Sequence, residues 1–157
     1  MKTSTQKKLK QYLYIIAIKA NTTHLFCFLP AKINMMLRDD LYIIKTISVE
    51  NNSIEASIEL NDQHEIFKGH FPSQPVLPGA CMLQMIKELT ATSFNKKLQL
   101  MKATEIKFLS LILPDKTKLL QFSIQHSFIN ESTLNVTAKI IKEDVVCCKM
   151  KASFAIR

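Results

Sequence analysis

Both glycines of this chain and three of its five prolines fall in one stretch, Gly69-His70-Phe71-Pro72-Ser73-Gln74-Pro75-Val76-Leu77-Pro78-Gly79. Proline fixes its own φ and pushes the preceding residue towards an extended shape. Prolines at every third position therefore make a stiff, extended strap. The strap opens with His70, whose imidazole titrates near neutral pH and suits proton transfer. It ends at Gly79, where an apolar run with helical character begins. The start of a helix offers unpaired backbone N–H groups and partial positive charge. Such a pairing suits proton transfer beside a place where negative charge gathers.

The rest of the chain must position those groups. Its 157 residues suit one domain, and 47% apolar with 22% charged residues is ordinary for a globular protein. No run approaches the roughly 20 apolar residues of a bilayer span. The formal charge of +8 is unevenly spread. Residues 1–34 carry six of the 21 lysines and arginines and no acid, which leaves fifteen bases against thirteen acids in residues 35–157. A nearly balanced body argues against a nucleic-acid-binding fold. We read residues 1–34 as a basic, poorly ordered, dispensable extension that fits a secretory signal badly. Met35 or Met36 is then the natural start, and residues 35–157 form the domain. The four cysteines match no zinc pattern, and reduced thiols in a cytoplasmic protein are the expectation. Cys147 and Cys148, adjacent in a strand, should point to opposite faces.

Residues 41–60 read as a hairpin turning at Asn51-Asn52, with Ile54, Ala56, Ile58 and Leu60 alternating with polar residues. From Ala80 to about Phe94, apolar residues cover most of a helix circumference, as in a buried helix. Strand patterns follow at 100–113, ending at Pro114, then at 118–128, 133–141 and 145–156, with a turn at Glu143-Asp144. Two strands, one buried helix and four strands predict an α+β fold, an antiparallel curved sheet wrapped around one central helix.

The segment His70-Phe71-Pro72-x-x-Pro75-Val76-Leu77-Pro78-Gly79 resembles the signature of the 3-hydroxyacyl (acyl carrier protein) dehydratases of the FabA/FabZ type. Phe67-Lys68-Gly69 before it, Ile106-Lys107-Phe108 running to Leu113-Pro114-Asp115, and the closing Val145–Ile156 strand extend the similarity over roughly residues 40–157. The resemblance implies the hot-dog fold and interconversion of 3-hydroxyacyl and trans-2-enoyl thioesters on acyl carrier protein, in fatty acid or polyene biosynthesis. It implies a homodimer with the site across the subunit interface, and no metal or cofactor. His70 becomes the base for the α-proton. Gly79 supplies the N–H for the thioester oxygen, with glycine letting the substrate come close. Phe71, Pro78, Ala80 and Leu83 become substrate contacts, and Met82, Met85 and Leu89 core residues that also wall the acyl tunnel.

The sequence departs from the pattern where the family carries an acid five residues after the glycine. Gln84 stands there, and an amide is no proton donor of that kind. Glu88 lies one turn further on, where the family often has glutamine, so acid and amide are exchanged. Three readings follow: Glu88 is the acid; Gln84 positions a water or hydroxyl and His70 handles both protons; or the chain is a non-catalytic acyl-carrier-protein-binding subunit, heterodimers included. A hot-dog acyl thioesterase is a further alternative. Among other residues, His64 is expected at the surface or a helix start, and His126 as a satisfied, partly buried strand residue. His24 carries no signal, and Cys81 is expected not to act as a nucleophile. Lys68, Lys96, Lys97, Lys102 and Lys107 either form a basic rim for an acidic carrier protein or are plainly solvated.

Overall fold

The computed structural model describes residues 36–69, 74–114 and 119–157. The proposed extension, residues 1–34, therefore lies wholly outside the described residues.

Strand β1 (Tyr42–Glu50) turns at Asn51 and Asn52 into β2 (Ser53–Leu60). Both asparagines have positive φ, 45° and 64°, the geometry that lets a two-residue turn follow the twist of its strands. A single helical turn, α1 (Ile66–Gly69), precedes the strap, and its first N–H, that of Ile66, donates to His64 Nδ1 at 3.1 Å. His64 is thus the helix-start residue expected. The long helix α2 (Gly79–Phe94) follows, then β3 (Leu98–Phe108), β4 (Leu119–Asn130), β5 (Thr133–Lys142) and β6 (Val145–Ile156). The six strands form one sheet in the order β1-β2-β4-β5-β6-β3, every neighbouring pair antiparallel.

Period-two patterning sets which face meets the helix. Leu120, Phe122 and Ile124 of β4, Val136, Ala138 and Ile140 of β5, and Cys148, Met150, Ala152 and Phe154 of β6 are all buried. They stand opposite one another across the ladders, as Phe122 does to Ile140 and Ala138 to Met150. Against them α2 buries Cys81, Met82, Met85, Ile86 and Leu89. Each large side chain so buried stabilises the fold by about 1.5–3 kcal/mol. The sheet curves around a helix with apolar groups on nearly every side, which is the hot-dog arrangement expected. Asn95 ends the helix in the left-handed region at φ 49°. The N–H of Asn95 reaches the Thr92 carbonyl and that of Lys96 the Ala91 carbonyl, a Schellman ending.

Three expectations are corrected. Strand β3 stops at Phe108, not at Pro114, because the N–H groups of Leu109 and Ser110 turn to the Cys147 carbonyl. Cys147 and Cys148 are both buried, and the regular alternation expected to set them on opposite faces is broken between them. Ile140 pairs with Cys148 and Ile141 with Val146, so Cys147 is the extra residue of a β-bulge and escapes the alternation. His126 is buried with neither ring nitrogen hydrogen-bonded among the described residues, so it is not the satisfied histidine expected. Its ring instead packs edge-on against Phe94 and Phe128, at centroid distances of 4.8 and 5.9 Å.

Candidate active site at the start of the central helix

The strap enters α2 on buried supports. Val76, Leu77 and Pro78 are buried, and the Leu77 N–H donates to the Ile112 carbonyl at 2.9 Å. Pro78, at φ −62° and ψ 139°, precedes the helix in extended geometry, and among the described residues no side chain caps that end. Its carbonyl accepts from the Cys81 N–H at 3.0 Å and the Met82 N–H at 3.2 Å. Those are the helix's first internal donors, so the Gly79 and Ala80 N–H groups before them have no carbonyl within the helix. The first turn holds no acid. The partial positive charge of this end is therefore not offset from within its own turn.

Gly79 does not have positive φ. A neighbour crowds the position instead: a Cβ here would stand 2.5 Å from Phe108 Cζ and 2.7 Å from Cε1. The ring of Phe108, at the end of β3, fills the space a side chain would need. The strand pattern places Phe108 in β3, and nothing in the sequence signals its approach to Gly79.

Gln84 is half-buried and Glu88 is 8% exposed. The structure brings them together: Gln84 Nε2 donates to Glu88 Oε1 at 2.8 Å. The same Oε1 accepts from the Leu37 N–H at 2.8 Å. Oε2 accepts from the Arg38 N–H at 3.0 Å and from the Tyr42 hydroxyl at 2.9 Å. Burial first, then the neighbouring Glu88 charge, holds the Tyr42 phenol well above its ordinary range, so it stays a donor. Tyr42, Leu37 and Arg38 escaped sequence reasoning, since two of these donors are backbone groups with no side-chain signature.

Ala80 is buried and Leu83 half-buried against the core. His70 and Phe71 lie outside the described residues. Burial, and next the Glu88 charge, pushes the Cys81 thiol up to about 12, which disfavours a nucleophilic thiolate. Lys68, Lys96, Lys97, Lys102 and Lys107 are exposed, and Lys107 pairs with Glu105 at 3.3 Å. A separate, mostly apolar cavity of about 500 Å³, lined by Phe94, Leu98, Phe128, Leu134 and Ile156 among others, sits at the other end of α2. The helix's 16 residues put that end about 24 Å from Gly79.

A family model described as "ApeI-like: ApeI dehydratase" matches residues 46–151. Among curated proteins, the 3-hydroxyacyl (acyl-carrier-protein) dehydratase FabZ of Rickettsia typhi is 27% identical over 118 residues, 68% of this chain and 78% of that protein. The FabZ of Wolbachia pipientis wMel is 28% identical over 100 residues, 59% of this chain and 70% of its own. The fold also matches a chain of the dehydratase heterocomplex ApeI:P from Xenorhabdus doucetiae, with a TM-score of 0.58 at 18% identity, covering 72% of this chain and 96% of that one. A thioesterase from Haemophilus influenzae shares the fold too, with a TM-score of 0.55 at 13% identity, covering 75% and 80%. A hot-dog chain with this helix start and a family match over two thirds of its length belongs to the ApeI-like dehydratase family.

Proposed function

We propose that this chain dehydrates 3-hydroxyacyl thioesters carried on acyl carrier protein to the trans-2-enoyl form. The observation that carries the reading is the start of α2, which no side chain caps among the described residues, with the Gly79 and Ala80 N–H groups unpaired within the helix, followed on that helix by the Gln84–Glu88 pair. The thioester oxygen gains negative charge as the C2 proton leaves, and the Gly79 N–H at a positive helix end is the group suited to hold it. His70 takes the C2 proton, the C2–H electron pair forms the C2=C3 bond, and the C3–O bond breaks. Gln84 holds the departing hydroxyl but cannot protonate it as an acid. His70 then hands its proton to that oxygen, and water leaves. Pro78, Ala80, Leu83 and Phe71 line the acyl path.

The protein works as a homodimer in this proposal. Strand β3 is an edge of the sheet, and Met101, Ile106, Phe108, Leu109 and Leu111, on it or just beyond it, are exposed apolar residues. A long apolar edge is a template for pairing with a second chain. The buried free thiols Cys81, Cys147 and Cys148 support a reducing, cytoplasmic setting.

The amide at position 84 favours one alternative, a non-catalytic acyl-carrier-binding subunit. The relative described as a dehydratase heterocomplex makes an unlike partner a concrete case to test. The experiment is incubation with a 3-hydroxyacyl carrier-protein substrate while conjugated enoyl product and free acid are followed. Enoyl product is expected. Free acid instead supports a thioesterase, and carrier binding with neither product supports the silent subunit.

A further inference from the structure

We infer that Glu88 is a positioning residue, not the proton donor, and that it locks the Gln84 amide so that its carbonyl oxygen receives the hydrogen of the substrate's 3-hydroxyl. The inference rests on the dehydratase reading above and names what the Gln84 side chain does within it.

A carboxylate offers about four lone-pair sites, two on each oxygen. In Glu88 four donors occupy them: the Leu37 N–H and Gln84 Nε2 on Oε1, and the Arg38 N–H and Tyr42 hydroxyl on Oε2. For Glu88 to carry and deliver a proton, one of these bonds has to break inside a nearly dry site, where an unpaired donor is costly. The Tyr42 hydroxyl and the Leu37 N–H are buried, so water cannot replace the lost acceptor cheaply.

The same arrangement decides which way the Gln84 amide points. An acceptor-only carboxylate at 2.8 Å requires the nitrogen to face it. The amide is planar, so its oxygen lies on the side turned away from Glu88. A carbonyl oxygen carries two lone pairs and can take the 3-hydroxyl hydrogen besides any other bond it makes. A hydroxyl that donates to Gln84 keeps its own lone pairs for the proton arriving from His70. An acid at position 84 would donate to that oxygen, and here the polarity of the contact is reversed. The exchanged pair thus keeps its mutual hydrogen bond while the group presented to substrate changes from donor to acceptor.

The test compares the wild type with Gln84→Glu, Glu88→Gln and the double exchange, measuring kcat, KM and the pH dependence of enoyl formation on a 3-hydroxyacyl carrier protein. Glu88→Gln lets the amide at 84 turn over, and kcat should fall about 10- to 100-fold with little change in KM. Gln84→Glu alone sets two carboxyls in contact. One of them must hold a proton, which shifts the acid side of the pH–rate profile and limits any gain. The double exchange restores an acid beside an amide and should exceed the wild-type kcat by about 10²-fold or more. Tyr42→Phe removes a Glu88 partner without touching Gln84, and should lower stability but leave the pH profile in place. Should Glu88→Gln not fold, the side-chain amide resonances of 15N-labelled Gln84 in the wild type give the second readout. One Nε2 proton should be shifted and slow to exchange. Freely exchanging Nε2 protons, or a Gln84→Glu enzyme as fast as the double exchange with an unshifted profile, overturns the inference. No enoyl product from any variant, with the Nε2 proton still protected, removes the dehydratase reading and leaves the amide lock standing.

Discussion

Replacing Glu88 with leucine keeps the approximate volume and removes the acceptor from four donors. Two of these, the Leu37 N–H and the Tyr42 hydroxyl, belong to residues only 3% and 1% exposed. An orphaned buried donor costs about 1–3 kcal/mol. The Arg38 N–H and the Gln84 amide are in less dry surroundings and add less. The apolar leucine returns part of the loss by burial. The expected cost is about 3–5 kcal/mol, as for breaking a buried charged contact from one side. A domain of this size has roughly 5–15 kcal/mol in total, so the variant should fold with a much reduced urea midpoint and an unchanged m-value. The companion Tyr42→Phe leaves Glu88 three donors and should cost about 1–2 kcal/mol in the wild-type background. In the Glu88→Leu background, Tyr42→Phe removes an already orphaned hydroxyl and should be neutral or stabilising. A double-mutant cycle measures that difference. Glu88→Leu costing under about 1 kcal/mol, or Tyr42→Phe costing the same in both backgrounds, would falsify the claim that this carboxylate fastens residues 37–42 to α2.

Gly79→Ala sets a methyl group 2.5 Å from Phe108 Cζ and should cost about 1–3 kcal/mol, less what the half-exposed ring recovers by swinging out. Adding Phe108→Ala should abolish that cost, read as coupling between the two sites in urea titrations. Burial holds the His126 imidazole below its ordinary pKa, so the folded state binds fewer protons there than the unfolded chain. This group's share of stability is full above the unfolded value of about 6.5 and is lost as pH falls through its lower folded value. His126→Phe, kept within the aromatic contact with Phe94 and Phe128, should flatten the acid limb of midpoint against pH, and an unaltered limb would count against it. In a Cys27→Ser background the three remaining thiols are 0–2% exposed and should react with an aromatic disulfide reagent only at the rate of opening. Rapid labelling of the native protein would contradict their burial.

Much of the fold was legible because its strands obey a period of two. Leu120, Phe122 and Ile124, then Val136, Ala138 and Ile140, announce one buried face each, and the structure sets those faces opposite one another. The helix was legible for a different reason: apolar residues around most of its circumference demand a sheet on more than one side. The two-residue turns at Asn51-Asn52 and Glu143-Asp144 have positive φ throughout, which asparagine and aspartate, at three of the four positions, tolerate and sequence can signal. What stayed hidden depends on backbone groups or distant partners. The apolar run 109–113 looks like more strand, yet its N–H groups at 109 and 110 go to a bulge carbonyl. The alternation read through Cys147 and Cys148 fails at that same bulge. At the site, the exchange of acid and amide was visible as Gln84 and Glu88. Its meaning was not, because three of the four groups that fill Glu88's lone pairs lie 46 to 51 residues away, and two of those are backbone amides common to any residue.

The extra residue at Cys147 reaches further than its own ladder. Its carbonyl gathers the N–H groups of Leu109 and Ser110; beyond them, Ile112 offers a carbonyl to Leu77, and Leu77 leads through Pro78 into Gly79. The mouth of the helix hangs from main-chain links anchored in the far side of the sheet. Side chains at 109 and 111 project into solvent and take no part in that suspension. Substitutions there can change the exposed surface of this edge without moving the start of the helix.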